Sequence, residues 1–378
     1  MKKLGLYIHI PFCIRKCDYC DFYSLCHSYE LEEEYINALC THIKSEAHLY
    51  KECAFDTIFI GGGTPSVLSP KSFESLALCI TSNLNIDKNA EFTIEANPGT
   101  LDREKLESYK KNGVNRLSIG LQSTNDKCLS SLGRIHTLSD FEKGFYLARE
   151  CGFDNISVDV MYGLPNQSLE DFKKTLDHVC KFNPEHISAY CLKLEENTPL
   201  FKKRDKLLLP GDEEEYEMYM TLCSLLEEKG WKQYEISNFA KDGCKSRHNL
   251  KYWLSSDYIG LGPSAHSCFN GTRYFYSRNI KSYIDEAKSS NPTKHYEDEE
   301  EKTHIDKMDE YVLLKLRLSD GISSQEFETR FGKSLLNEYP NLEKYIKSGH
   351  VSLNNSFYSF TPKGFFVSNY ILTDILHF

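Results

Sequence analysis

Short β-branched or aromatic runs recur along this chain with helix-period segments between them, and this alternation restricts the fold more than any other feature. The runs cover residues 4–10, 57–60, 91–96, 116–121, 155–161 and 186–194 and, more weakly, 233–238. Between them, residues 31–50, 70–84, 102–112, 138–151, 168–182 and 211–230 place apolar side chains at a 3.6-residue spacing. Strand, helix, strand in repetition predicts parallel βα units joined by right-handed crossovers, which either curl toward a barrel or spread into a doubly wound sheet.

Polar clusters at the strand ends favour the barrel. Gly61-Gly62-Gly63-Thr64-Pro65, Glu95-Ala96-Asn97-Pro98, Gln122-Ser123, the stretch from Asp159 to Pro165, and Lys193-Leu194-Glu195 each follow a predicted strand. An open sheet gathers function at one switch point, whereas a barrel rim collects residues from every strand terminus.

After the first strand comes Cys13-Ile14-Arg15-Lys16-Cys17-Asp18-Tyr19-Cys20. Three thiols within eight residues are one too few for a closed four-ligand cage, so the trio points to a metal centre with an open position. Two other readings stand beside it: ordinary buried thiols, in a chain with 14 cysteines, or a zinc site completed by His9 or His27. The chain has no second C-x-x-C knuckle to complete a zinc site.

A net charge of −10 argues against a nucleic-acid footprint, which needs clustered Lys and Arg. With 378 residues and 40% hydrophobic content the chain can bury a core without staples. Its many unpaired cysteines suit a reducing compartment. No secretion signal and no apolar run of spanning length are read from the sequence, so a cytoplasmic location is expected.

The C-x-x-x-C-x-x-C loop resembles that of the radical S-adenosylmethionine (SAM) superfamily. This resemblance implies a partial (β/α)6 barrel in which Cys13, Cys17 and Cys20 hold a [4Fe–4S] cluster and SAM takes the open iron. It also implies SAM contacts from Tyr7, near the methionine end, from Tyr19, beside the adenine, and from Gly62, Gly63 and Thr64, toward the amino group. Glu95, Gln122, Arg134 and Asp159 complete the implied set. Read from residues alone, Glu95, Gln122, Arg134 and Asp159 could equally be rim ion pairs or amide bonds, and the glycine triplet a tight turn.

Further matches run almost end to end: Ser-Ile-Gly-Leu-Gln-Ser (118–123), Leu-Gly-Arg-Ile-His (132–136), Tyr-Gly-Leu-Pro (162–165) and Gly-Leu-Gly-Pro-Ser-Ala-His-Ser (260–267). They resemble the HemN-related branch, which holds both oxygen-independent coproporphyrinogen III oxidases and heme chaperones. The chaperones are the better match. Phe22 stands where the oxidases carry a fourth cysteine, only three residues precede the first strand, and His248-Asn249-Leu250-Lys251-Tyr252-Trp253 reproduces the chaperones' H-N-x-x-Y-W motif. The resemblance implies heme as a further ligand, with His248 and Tyr252 as its contacts. It also implies a heme-requiring respiratory protein as acceptor, and it leaves room for peripheral membrane contact during hand-over. A histidine beside Tyr and Trp also reads as a packed core residue.

The expected organisation is a partial barrel over residues 1–240, a connecting segment with the heme motif over 241–300, and a small winged-helix-like domain over 301–378. Residues 296–302 read as a solvated acidic linker, and a small hairpin is expected around residues 351–360.

Overall fold

In a computed structural model that describes residues 1–289, 292–297 and 302–377, six predicted runs become adjacent parallel strands. They are β1 (Lys2–Ile10), β2 (Cys53–Gly62), β3 (Ile86–Ala96), β4 (Arg116–Gln122), β5 (Ile156–Tyr162) and β6 (His186–Cys191). Each pairs with the next. The intervening helices are α1 (Tyr29–Glu46), α2 (Pro70–Asn83), α3 (Arg103–Lys111), α4 (Asp126–Ser131), α5 (Leu138–Glu150), α6 (Leu169–Phe182) and α7 (Asp212–Glu228). Their starts follow local chemistry: Ser168 and Thr137 each form a reciprocal capping box, with Asp171 and Asp140 respectively.

The sheet continues past the six strands on both sides. Beyond β6 lie the short antiparallel β7 (Lys232–Gln233) and β8 (Asn238–Ala240). Helix α8 (Arg247–Trp253) follows, and then β9 (Tyr258–Leu261) returns to pair parallel with the other side of β1. β10 (His266–Phe269), β11 (Thr272–Tyr276) and β12 (Lys294–Tyr296) extend that side antiparallel. The order in the twelve-stranded sheet is therefore β12-β11-β10-β9-β1-β2-β3-β4-β5-β6-β8-β7, with an open edge at each end. This is an incomplete, open barrel, as the resemblance in the sequence implies.

Two departures from the sequence reading have local causes. The weak strand over 233–238 is instead the turn between β7 and β8. There the Glu235 carboxylate accepts the Ser237 N–H at 3.0 Å, a local bond that competes with a ladder. Strand β9 falls within the stretch that the sequence assigns to a connecting segment. Only four residues long, it offers too little alternation to stand out from its glycine-rich surroundings.

Strand parity sorts the side chains. Leu4, Leu6 and Ile8, then Ile58 and Ile60, Leu117 and Ile119, and Val158 and Val160 are fully buried in the apolar core. The opposite parity carries Tyr7, Thr57, Glu95, Arg116, Ser118, Asp159 and Ser188 into the barrel. A barrel whose inner face is mostly polar contains space, unlike one filled with aliphatic layers.

Helix α8 closes the floor. The backbone N–H groups of Arg247 and His248 both bond the Glu91 carboxylate at 3.0 Å, and Lys251 pairs with Asp56 at 2.7 Å. The tail begins with a helix at His304–Lys315, has a three-stranded sheet built on the hairpin Val351–Asn354 and Phe357–Phe360, and sets Phe366 against Tyr216 and Tyr219 of α7. Residues 298–301 of the acidic stretch lie outside the described residues.

Candidate functional site

The loop after β1 turns inward because Pro11 ends the regular strand and Gly63 lets the backbones meet: a Cβ on Gly63 would stand 2.6 Å from the Phe12 carbonyl oxygen. The Gly63 N–H bonds Ile10 O at 2.8 Å, and the Thr64 N–H bonds Phe12 O at 2.7 Å. Gly62, at φ +113°, donates its N–H to the Glu95 carboxylate at 3.1 Å. The glycine triplet thus fastens the cysteine loop to the ends of β2 and β3.

A cavity of about 360 Å³ opens at this rim. Cys13, Cys17 and Cys20 line it, together with Tyr19, Gly62, Gly63, Thr64, Glu95, Gln122, Arg134 and Asp159. Eleven of the fourteen residues singled out in the sequence therefore share one chamber. Asn97, Ser118 and Met161 stand in the strand-end motifs of the sequence without being named as contacts, and Tyr190 in a predicted strand; all four also line it. Strand parity carries the missing signal for two of them, since Ser118 lies two residues before Gly120 and Met161 two after Asp159.

The thiols have directed partners. Thr64 Oγ1 donates to Cys13 Sγ at 3.4 Å and Arg134 Nη1 to Cys17 Sγ at 3.5 Å. Arg134 Nη2 holds the Gly120 carbonyl at 2.5 Å, which ties the loop to β4. Burial pushes the Cys20 thiol up, with Cys17 and Cys13 among the further contributors. Among the described residues no three His, Cys, Asp or Glu side chains converge on a point that could hold a single metal ion. The trio lines the cavity wall. His9 is engaged elsewhere, with Nδ1 accepting from the Tyr7 hydroxyl at 3.0 Å and Nε2 bonding Tyr23 O at 2.9 Å. Burial lowers its pKa to about 4, so it stands neutral.

The two carboxylates opposite the loop share one enclosed environment. Burial, followed by the nearby Asp159, pushes Glu95 up to about 8, and burial raises Asp159 as well. Asp159 accepts Ser118 Oγ at 3.2 Å. At the rim Gln122 adopts φ 70° where β4 slips register against β5, a strained backbone at the cavity edge. The donor set suits a thiolate-held iron cluster and a zwitterionic adenosine sulfonium: soft sulfurs on one wall, carboxylates and a guanidinium on the other. The volume falls within the ~300–1,000 Å³ range of small-molecule sites.

Tyr7, His248 and Tyr252 lie apart from this chamber, lining a second, inner cavity of about 200 Å³ above the α8 floor. His248 is buried and its ring bonds at both nitrogens, Nδ1 with Thr57 Oγ1 at 2.8 Å and Nε2 with the Tyr252 hydroxyl at 2.9 Å. It stacks on Phe59, and burial lowers its pKa to about 3.

Comparison with known proteins agrees with this construction. The Radical SAM superfamily model matches residues 7–179, and the HemN C-terminal domain model matches residues 303–367. A "Heme chaperone HemW" of Bacillus subtilis (strain 168) is 38% identical over 96% of this chain and 96% of its own length. One of Buchnera aphidicola subsp. Schizaphis graminum is 38% identical over 98% of each. The solved coproporphyrinogen III oxidase (HemN) from Escherichia coli, 22% identical, superposes with a TM-score of 0.85 over 99% of this chain and 90% of its own, a likeness of fold. With full-length identity at this level to its curated relatives, the chain belongs to the heme chaperone HemW family of the radical SAM superfamily.

Proposed function

We propose that this protein is a heme chaperone, which binds heme and delivers it to a heme-requiring respiratory protein. On this reading Cys13, Cys17 and Cys20 hold a [4Fe–4S] cluster, and Glu95, Gln122, Arg134, Asp159, Tyr19 and the glycine cradle hold SAM. When bound, the cluster and SAM would supply one-electron chemistry at the rim. The chain's own residues orient the loop, through Arg134 and Thr64, and enclose the polar contacts, through Glu95 and Asp159. The observation that carries the reading is the full-length likeness to curated heme chaperones. The convergence of the three cysteines with the rim residues on one cavity supports the cofactor part. Fourteen free cysteines are consistent with work in the cytoplasm, and no helix of the described residues is long and apolar enough to cross a membrane.

His248 as a heme ligand requires a structural change. Its Nε2 is occupied by Tyr252, and the inner cavity falls below the ~300 Å³ from which small-ligand pockets begin. Iron ligation there would follow only if α8 moved off the floor. The test is anaerobic reconstitution followed by heme titration of wild type and His248→Ala. The variant should bind heme more weakly with cluster absorbance intact, and an unchanged heme affinity removes His248 from the site. In parallel, reduced, cluster-loaded protein is given SAM and coproporphyrinogen III. Formation of the divinyl product would replace the chaperone reading with the oxidase one.

A further inference from the structure

Arg116 enters the barrel from the start of β4 with 2% of its surface exposed. Its Nε has no hydrogen-bond partner, and among the described residues no salt bridge holds its guanidinium, although its charge acts on the Asp159 and Glu95 carboxyls. It lines the inner cavity of about 200 Å³. A buried guanidinium without a direct hydrogen-bonded partner is costly, and nearly every buried charge in a folded protein is paired. The two carboxyl groups that share the cavity are held by other donors: Glu95 accepts the Gly62 N–H at 3.1 Å, and Asp159 accepts Ser118 Oγ at 3.2 Å. Burial pushes Glu95 up to about 8, so near neutral pH it is largely in the acid form, and burial raises Asp159 as well, so the two carboxyls offset the Arg116 charge only in part.

The surroundings suit a small anion. The Tyr190 hydroxyl and the Asn249 amide line the same space and offer neutral donors. Glu95, Ser118, Asp159 and Tyr190 also line the larger rim cavity, so the inner space adjoins it. A planar guanidinium selects planar, two-oxygen partners through parallel N–H···O bonds, which favours carboxylate over halide. The volume excludes a porphyrin macrocycle and accepts a few heavy atoms.

We propose that the inner chamber is a carboxylate-binding site anchored by Arg116, for a ligand or ligand arm of about propionate size. The proposal does not depend on the heme reading.

The test uses the full-length, cofactor-free protein and follows thermal unfolding against sodium propionate, propionamide and sodium chloride. Propionate should raise the midpoint in a saturable way, while equal concentrations of propionamide and chloride should not. Arg116→Met should weaken the apparent propionate affinity at least tenfold. Equal shifts from propionate and propionamide, or from propionate and chloride, overturn the proposal. If Arg116→Met does not fold, this ligand comparison on wild type decides the matter alone. Heme and heme dimethyl ester distinguish the source: a preference for free heme that Arg116→Met abolishes identifies the porphyrin's own propionate as the arm, whereas propionate binding without that preference identifies a separate acid.

Discussion

Glu95 shows how one side chain's environment becomes measurable. In the folded protein burial, then the neighbouring Asp159, pushes its carboxyl up to about 8, whereas in the unfolded chain it ionises near about 4.3. Between those values the unfolded state releases a proton that the folded state retains, so this residue's contribution to stability falls as pH rises through the window and levels off above it. His9 and His136, both lowered to about 4, act oppositely, since they are protonated in the unfolded chain first and cost stability as pH drops below about 6.5. Their effect is common to wild type and Glu95→Gln and cancels in the difference. The stability of wild type minus that of Glu95→Gln, measured by urea unfolding of cofactor-free protein from pH 5 to 8, should therefore decline steadily. A flat difference would place Glu95 in a wetter site than its position between β2 and β4 indicates.

Helix α8 is the element on which the floor depends. Seven residues are too few to be helical alone, so its stability comes from the Glu91 carboxylate at its first N–H groups and from the Lys251–Asp56 pair at 2.7 Å. The two side chains of that pair are 9% and 10% exposed, so removing Lys251 leaves the Asp56 carboxylate in a dry place with the longer contact to Arg247 Nη2 at 3.7 Å. Lys251→Met should cost about 3 kcal/mol, and Lys251→Met with Asp56→Leu should recover most of it. Additive losses in the urea double-mutant cycle would mean that the pair does not hold the floor. The H-N-x-x-Y-W segment of the sequence is thus a structural plug in this conformation, and its histidine meets a ligand only if the plug shifts.

At the scale of the whole molecule, the sheet is completed by a segment distant in sequence. β9 pairs with β1 and β10–β12 build outward from it, so residues beyond 240 cover an edge of the barrel's first strand. A chain ending at residue 240 would leave β1, with Leu6 and Ile8 in its core, as an unpaired parallel edge. It should aggregate on expression or refolding, and a soluble monomeric 1–240 fragment with native-like circular dichroism would contradict this dependence.

The six parallel strands, the helices between them and the thiol trio were legible in the sequence because period-2 and period-3.6 spacing and short-range cysteine gaps are local properties. Even the hairpin at Val351–Asn354 and Phe357–Phe360 was legible, its turn marked by Asn355 and Ser356, both at positive φ. What stayed hidden depends on partners far apart in the chain. Arg116 sits in an ordinary-looking strand, and only strand parity combined with curvature of the sheet turns it inward with its Nε left without a hydrogen-bond partner. His248 reads as a ligand in a motif, yet its hydrogen bond to Thr57, 191 residues away, makes it part of the floor. Local pattern determined which residues form strands and which loop carries the sulfurs. Tertiary structure decided which polar groups are left facing empty space, because that follows from where the twelve strands bring their inner faces together.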